Sequence, residues 1–99
     1  MNQANFSYYN INFSKGSMGN EIYVNGEIKN NSTINYSMVV FKVILYIQSK
    51  VAGSGTLKIA GLQAKGGKNF EAVIEGLHTV DDRLISKISR CDILFENGY

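Results

Sequence analysis

The stretch that most constrains this chain runs from Gly26 to Ile47, Gly-Glu-Ile-Lys-Asn-Asn-Ser-Thr-Ile-Asn-Tyr-Ser-Met-Val-Val-Phe-Lys-Val-Ile-Leu-Tyr-Ile. A short alternating segment stops at Asn30-Asn31-Ser32, and a long β-branched and aromatic run follows. In that run Met38, Val40, Ile44 and Tyr46 occupy one face, and Val39, Phe41, Val43, Leu45 and Ile47 the other. Apolar residues on both faces of one strand predict a central strand covered at least partly on each side, the pattern of the middle of a β-sandwich. Asn tolerates the left-handed backbone and caps its own turn through the side-chain amide, so Asn30-Asn31-Ser32 is expected to be the connection.

The flanking sequence has the same character. Phe6 to Phe13 alternates, with Tyr9, Ile11 and Phe13 expected on one side and Asn10 and Asn12 on the other. Glu21 to Lys29 places Ile22, Val24 and Ile28 inward, with Gly26 between them, and Tyr23, Asn25, Glu27 and Lys29 outward. Ser49 to Gly55 is expected to be a flexible corner, followed by a brief strand from Thr56 to Ala60 and a turn over Gln63 to Lys68 containing Gly66-Gly67. Asn69 to Leu77 reads as another strand, with Phe70, Ala72 and Ile74 on one face.

The C-terminal segment is open to two readings. Leu84, Ile88, Cys91 and Phe95 fall at helical spacing, and Thr79 with Asp82 would serve as a capping signal. Cys91, Ile93 and Phe95 also alternate, which in an otherwise all-β chain favours a strand with a bulge near Ser89. Six or seven short strands joined by Gly, Asn and Ser turns predict an all-β, immunoglobulin-like antiparallel sandwich in one domain over residues 1–99, with a short C-terminal helix as the alternative.

Composition agrees with a folded domain and narrows its chemistry. Of the 99 residues 44% are apolar and 18% charged, the latter below the usual ~25%, which argues against disorder. The ten basic residues are scattered and the net charge is only +2, so no nucleic-acid stripe is present. With a single cysteine, Cys91, no internal disulfide can form and the apolar core must hold the fold. Cys91 lies in an apolar stretch and reads as a small buried hydrophobe. Nothing in the sequence brings the one histidine, His78, beside it as a base.

No segment reads as a signal peptide. The apolar run from Met38 to Ile47 is broken by Lys42 and falls short of the ~20 residues of a spanning helix. Either the chain remains inside the cell, or it is a piece of a longer exported protein and works outside the cytoplasm. The sequence has no proline, so strand edges must be protected by lysines, bulges or a partner.

On Tyr23 to Phe70 the sequence resembles the FxLYD domain family, small immunoglobulin-like sandwiches of prokaryotic cell-envelope and secreted proteins. Gly26-Glu-Ile-Lys-Asn30-Asn31-Ser32 is similar to that family's strand and turn. Val43-Ile-Leu45-Tyr46-Ile47 stands where the Phe-x-Leu-Tyr-Asp motif falls, with Val43 for the Phe and Ile47 for the Asp. Lys65-Gly66-Gly67-Lys-Asn-Phe70 stands where the family has a Pro-Gly turn leading to a Phe. The resemblance implies the fold and an envelope setting, and it implies no activity.

The remaining constellations point to little chemistry. His78, Asp81 and Asp82 are a candidate metal or ligand loop, but neighbours on an extended chain point apart. Glu71 and Glu75 share one face of a strand without a cleft around them. The glycines at 53, 55, 61, 66 and 67 lack the Gly-Lys-Ser/Thr of a phosphate loop. Tyr23 and Tyr36, on either side of the Asn-Asn turn, are expected to meet across a hairpin. The expected role is a non-catalytic interaction or spacer module without a cofactor, whose partner is a protein or glycan rather than nucleic acid. Homodimerisation through an edge strand is a further reading. The alternative is a small enzyme or ligand-binding protein with its site at His78, Asp81 and Asp82.

Overall fold

A computed structural model describes residues 5–16, 19–75, 77 and 82–99. Among these residues six strands and one short helix follow in the order β1 (Phe6–Lys15), β2 (Ile22–Asn30), β3 (Tyr36–Ile47), β4 (Lys50–Leu62), β5 (Gly67–Ile74), α1 (Asp82–Ser86) and β6 (Arg90–Gly98). They form two antiparallel three-stranded sheets, β1-β2-β5 and β4-β3-β6. The chain is an all-β sandwich, and β3 is the central strand of its sheet.

The period-two patterns explain the layers. Phe6, Ile22, Val24, Ile28, Phe70, Ala72 and Ile74 face inward from the first sheet; Val39, Phe41, Val43, Leu45, Leu57, Ile59, Leu62 and Ile93 face them from the second. The two outer faces differ. The first is polar (Asn12, Asn25, Glu27, Lys29, Glu71), whereas Met38, Val40, Ile44 and Tyr46 of β3 are half-buried on the second. Four aromatic rings fill one end of the core: Phe6 lies 5.2 Å from Phe41, 5.6 Å from Phe95 and 6.0 Å from Tyr36. Edge-on and offset pairs of this kind add to the burial itself.

Several expectations are corrected. Residues 50–55 belong to β4, not to a flexible corner. The turn is confined to Gln48 and Ser49, whose φ values of 54° and 71° make a two-residue hairpin of the mirror-image type. Asn-Gly usually marks that turn, and its absence hides the hairpin. Gly53 and Gly55 serve close packing in the strand instead. In β1 a bulge at Asn10 (φ 55°) between Tyr9 and Asn12 reverses the alternation, so Tyr9 is exposed on the face opposite Ile11 and Phe13.

Tyr23 and Tyr36 do not meet, because β2 and β3 lie in different sheets. Tyr23 stands opposite Val73 and Tyr36 opposite Leu62. The C-terminal segment is helix and strand in succession. Its register shift falls at Glu96, between the Val40–Asn97 and Phe41–Phe95 pairs, rather than near Ser89. Asp82 begins α1, while the proposed cap partner Thr79 lies outside the described residues.

Candidate functional site

The residues on which the sequence resemblance rests have structural surroundings. Asn30 is fully buried. Its Nδ2 donates to the carbonyls of Ile34 (2.8 Å), Gln63 (3.1 Å) and Leu62 (3.4 Å), and its Oδ1 accepts from the Ser32 amide (3.0 Å) and hydroxyl (2.6 Å). Burying an amide side chain is costly unless it is hydrogen-bonded, and here both ends are satisfied. The side chain therefore ties the β2–β3 connection to the end of β4. Asn31 reaches back to β1, donating to Ser7 Oγ at 2.7 Å, and its backbone N–H donates to the Asn5 carbonyl.

Gly26 sits opposite the β1 bulge, where a Cβ would lie 2.6 Å from Ile11 Cδ1 and 3.0 Å from Phe70 Cζ. Phe70 is its partner in β5. Gly66 closes the β4–β5 turn by donating to the Gln63 carbonyl, but the left-handed position is held by Lys65 (φ 61°), not by Gly66 or Gly67. Leu45 is buried in the core. Tyr46, on the outer face, carries the Arg90 guanidinium 4.1 Å above its ring.

The candidate loop cluster falls outside what the structure describes. His78 and Asp81 lie outside the described residues, as does the side chain of Asp82. Among the described residues no three His, Cys, Asp or Glu side chains are placed to hold a metal ion. Glu71 and Glu75 are both exposed, Glu71 on the polar outer face opposite Asn25.

The concave feature that the sequence does not reveal lies between the edge strands β1 and β6. It is an open groove of about 310 Å³ lined by Tyr8, Ile11 and Phe13 of β1, by Arg90, Cys91 and Ile93 of β6, and by Ile88 and Ser89 before it. The β1 bulge turns Ile11 and Phe13 toward this groove, and the period-two pattern of β6 turns Cys91 and Ile93 toward it. A sequence reading without the bulge at Asn10 cannot place the two walls together.

Two ionisable groups line the groove. Burial pushes the Cys91 thiol up to about 11, with the Asp92 carboxylate adding to the rise. Burial pushes the Tyr8 hydroxyl up to about 12, and that hydroxyl donates a long hydrogen bond (3.5 Å) to the Ile93 carbonyl. A thiol that holds its proton at neutral pH is a poor nucleophile and a poor metal ligand. The groove thus offers largely apolar contact, with its thiol and phenol both protonated near neutral pH.

A second depression, of about 450 Å³, lies on the polar face beside Tyr9, Glu27, Lys29, Lys65 and Lys68. Two of its three lysines are engaged: Lys65 Nζ donates to the Asn31 carbonyl and Lys68 Nζ to the Ala60 carbonyl, each at 2.6 Å. No known protein family, curated protein or solved structure matches the chain.

Proposed function

We propose that this protein is a non-catalytic interaction module of a prokaryotic cell-envelope or secreted protein, acting on a protein or glycan partner through its sheet surfaces. One observation supports this most: the groove between β1 and β6 is walled largely by apolar side chains, with Ser89 and Arg90 beside them, and its thiol and phenol are both held in their neutral forms. Groups of that kind supply contact area and backbone pairing, and they supply no proton transfer near pH 7. The resemblance of Gly26–Ser32 and Val43–Ile47 to the FxLYD pattern supports the envelope setting.

A thermal-shift screen against divalent metals and small metabolites tests this reading, with His78→Ala run beside the natural sequence. The expected result is no shift from any metal or metabolite and equal melting of the two proteins. A saturable stabilisation that disappears in His78→Ala would replace the module reading with a ligand or metal site at His78, Asp81 and Asp82.

A further inference from the structure

Each sheet ends in two edge strands, and three of the four edges are blunted. The edges of β4 and β5 lie against each other, and the Lys68 ammonium donates to the Ala60 carbonyl across them. The edge of β1 is interrupted by the bulge with left-handed Asn10. The β6 edge differs. Among the described residues its register against β3 is regular from Arg90 to Phe95, its bulge falls only at Glu96 near the end, it carries neither lysine nor proline, and the groove runs beside it. An unblunted edge flanked by apolar side chains is a template for a further strand. The Ile93 carbonyl of this edge accepts one long hydrogen bond (3.5 Å) from the Tyr8 hydroxyl across the mouth of the groove, and a carbonyl oxygen has a second lone pair for a strand partner.

We propose that β6 pairs antiparallel with β6 of a second copy, centred on Ile93, so that two β4-β3-β6 sheets become one six-stranded sheet and the two grooves close on each other. Charge selects both the occupant and the register. In an antiparallel pair, residues directly opposite share a face, so a two-fold pairing of identical strands is centred on one residue. Centring on Asp92 sets two Asp92 carboxylates opposite each other. Centring on Leu94 sets Asp92 opposite Glu96 twice. Like charges directly opposite one another destabilise a pair.

Centring on Cys91 overlaps only Arg90 to Asp92. Centring on Ile93 sets Arg90 opposite Glu96 at both ends, Asp92 opposite Leu94, and Cys91 opposite Phe95 over the shared groove. Arg90 and Glu96 are both exposed in the single chain; Arg90 already pairs with Asp92 of its own strand at 3.3 Å and lies over the Tyr46 ring, and Glu96 of the second copy joins that pair as a second carboxylate. Phe95, inward-facing yet 43% exposed, gains cover from the second copy. The net charge of +2 opposes association only weakly. This inference is independent of the module reading, since an interaction module can act as one copy or two.

Sedimentation and light scattering over a concentration series give the mass, expected to reach twice the 11.0 kDa of one chain. Arg90→Glu places a carboxylate opposite Glu96 at both ends of the pair and is expected to weaken dimerisation on the order of tenfold, with Arg90→Glu/Glu96→Arg restoring it. Cysteine cross-linking in a Cys91→Ser background reads the register. A mixture of the single variants Asp92→Cys and Leu94→Cys is expected to yield a mixed disulfide dimer, because facing strand residues lie within disulfide reach. Neither variant is expected to cross-link alone. A protein that stays monomeric throughout the series overturns the proposal. So does a dimer that Arg90→Glu leaves unchanged, or cross-linking of either single variant with itself. The substituted side chains are partly or fully exposed, and circular dichroism on each variant shows that it is folded before its mass is read.

Discussion

Of the two sides of the sandwich, one is closed within the chain and the other is left open. On one side β4 and β5 are in contact. Gly55 approaches β5 so closely that a Cβ would lie 2.5 Å from the Val73 carbonyl oxygen, and Gly53 is packed under Ile74 and Leu77. The depression of about 270 Å³ farther along this side, past Leu57–Ala60, is bridged by Lys68. On the other side β1 and β6 stand apart, and the space between them is the groove beneath Tyr8. Glycine permits the first arrangement by removing side-chain volume between the sheets. The second places large side chains (Tyr8, Ile11, Phe13) at the rim of a gap. One side is built for contact within the chain, and the other leaves apolar surface for contact from outside.

The strongest way to break the closed side is through Asn30, which ties the β2–β3 connection to the end of β4. Asn30→Ala removes five hydrogen bonds and leaves the Leu62 carbonyl without its side-chain donor. The expected loss is about 3 kcal/mol, at the upper range for a buried polar group stripped of its partners. Urea unfolding followed by circular dichroism measures it. A loss of under about 1 kcal/mol would mean that water replaces the amide and that this end of the seam is held by packing alone.

The same chemical change on the two sides separates them more sharply. Gly55→Ala drives a methyl into a backbone carbonyl, which cannot yield without moving β5, and is expected to cost about 2 kcal/mol. Gly26→Ala meets Ile11 Cδ1 and the Phe70 ring edge, the far ends of side chains. Ile11 can turn into the open groove, so the expected cost is under about 1 kcal/mol. Equal costs in paired unfolding curves would show that the groove side is as tightly packed as the seam, and the contrast would fail.

How far the sequence reveals these two sides follows from what each depends on. The sheets themselves are legible, because burial on both faces of β3 and alternation in β2 follow from residue type at period two. Asn30-Asn31-Ser32 is legible as a turn, although the burial of Asn30 is not. Its partners at Leu62 and Gln63 are more than thirty residues away. The left-handed Asn10, Gln48, Ser49 and Lys65 escape a sequence reading, since none is a glycine and each is held by strand pairing or a side-chain contact. Without the bulge at Asn10, alternation puts Tyr9 on the wrong face and the wall of the groove cannot be assembled. The groove is a property of two edges more than seventy residues apart in the chain, and no local pattern encodes it.

The smallest effect concerns the groove alone and separates burial from chemistry. The Cys91 thiol, pushed up to about 11 from an ordinary 9.0, holds its proton in the folded protein over a range where the unfolded chain has released it. Between about pH 9 and pH 11 the folded state therefore binds more protons than the unfolded state, and stability falls as pH rises. The contribution is fully present below about pH 9 and is lost as pH approaches about 11. Partial exposure of the thiol keeps this slope shallow. Reactivity reports the same shift more sensitively: at about pH 8 a thiol roughly two pH units weaker as an acid has on the order of 100-fold less thiolate, and alkylation by iodoacetamide is expected to slow accordingly relative to the unfolded chain. In Cys91→Ala the alkaline slope in stability should flatten while the remaining Tyr8 keeps part of it at still higher pH. Alkylation as fast in the folded protein as in urea would show that water already fills the groove at Cys91, and the wall facing the edge of β6 would then be no drier than the polar face beyond β2.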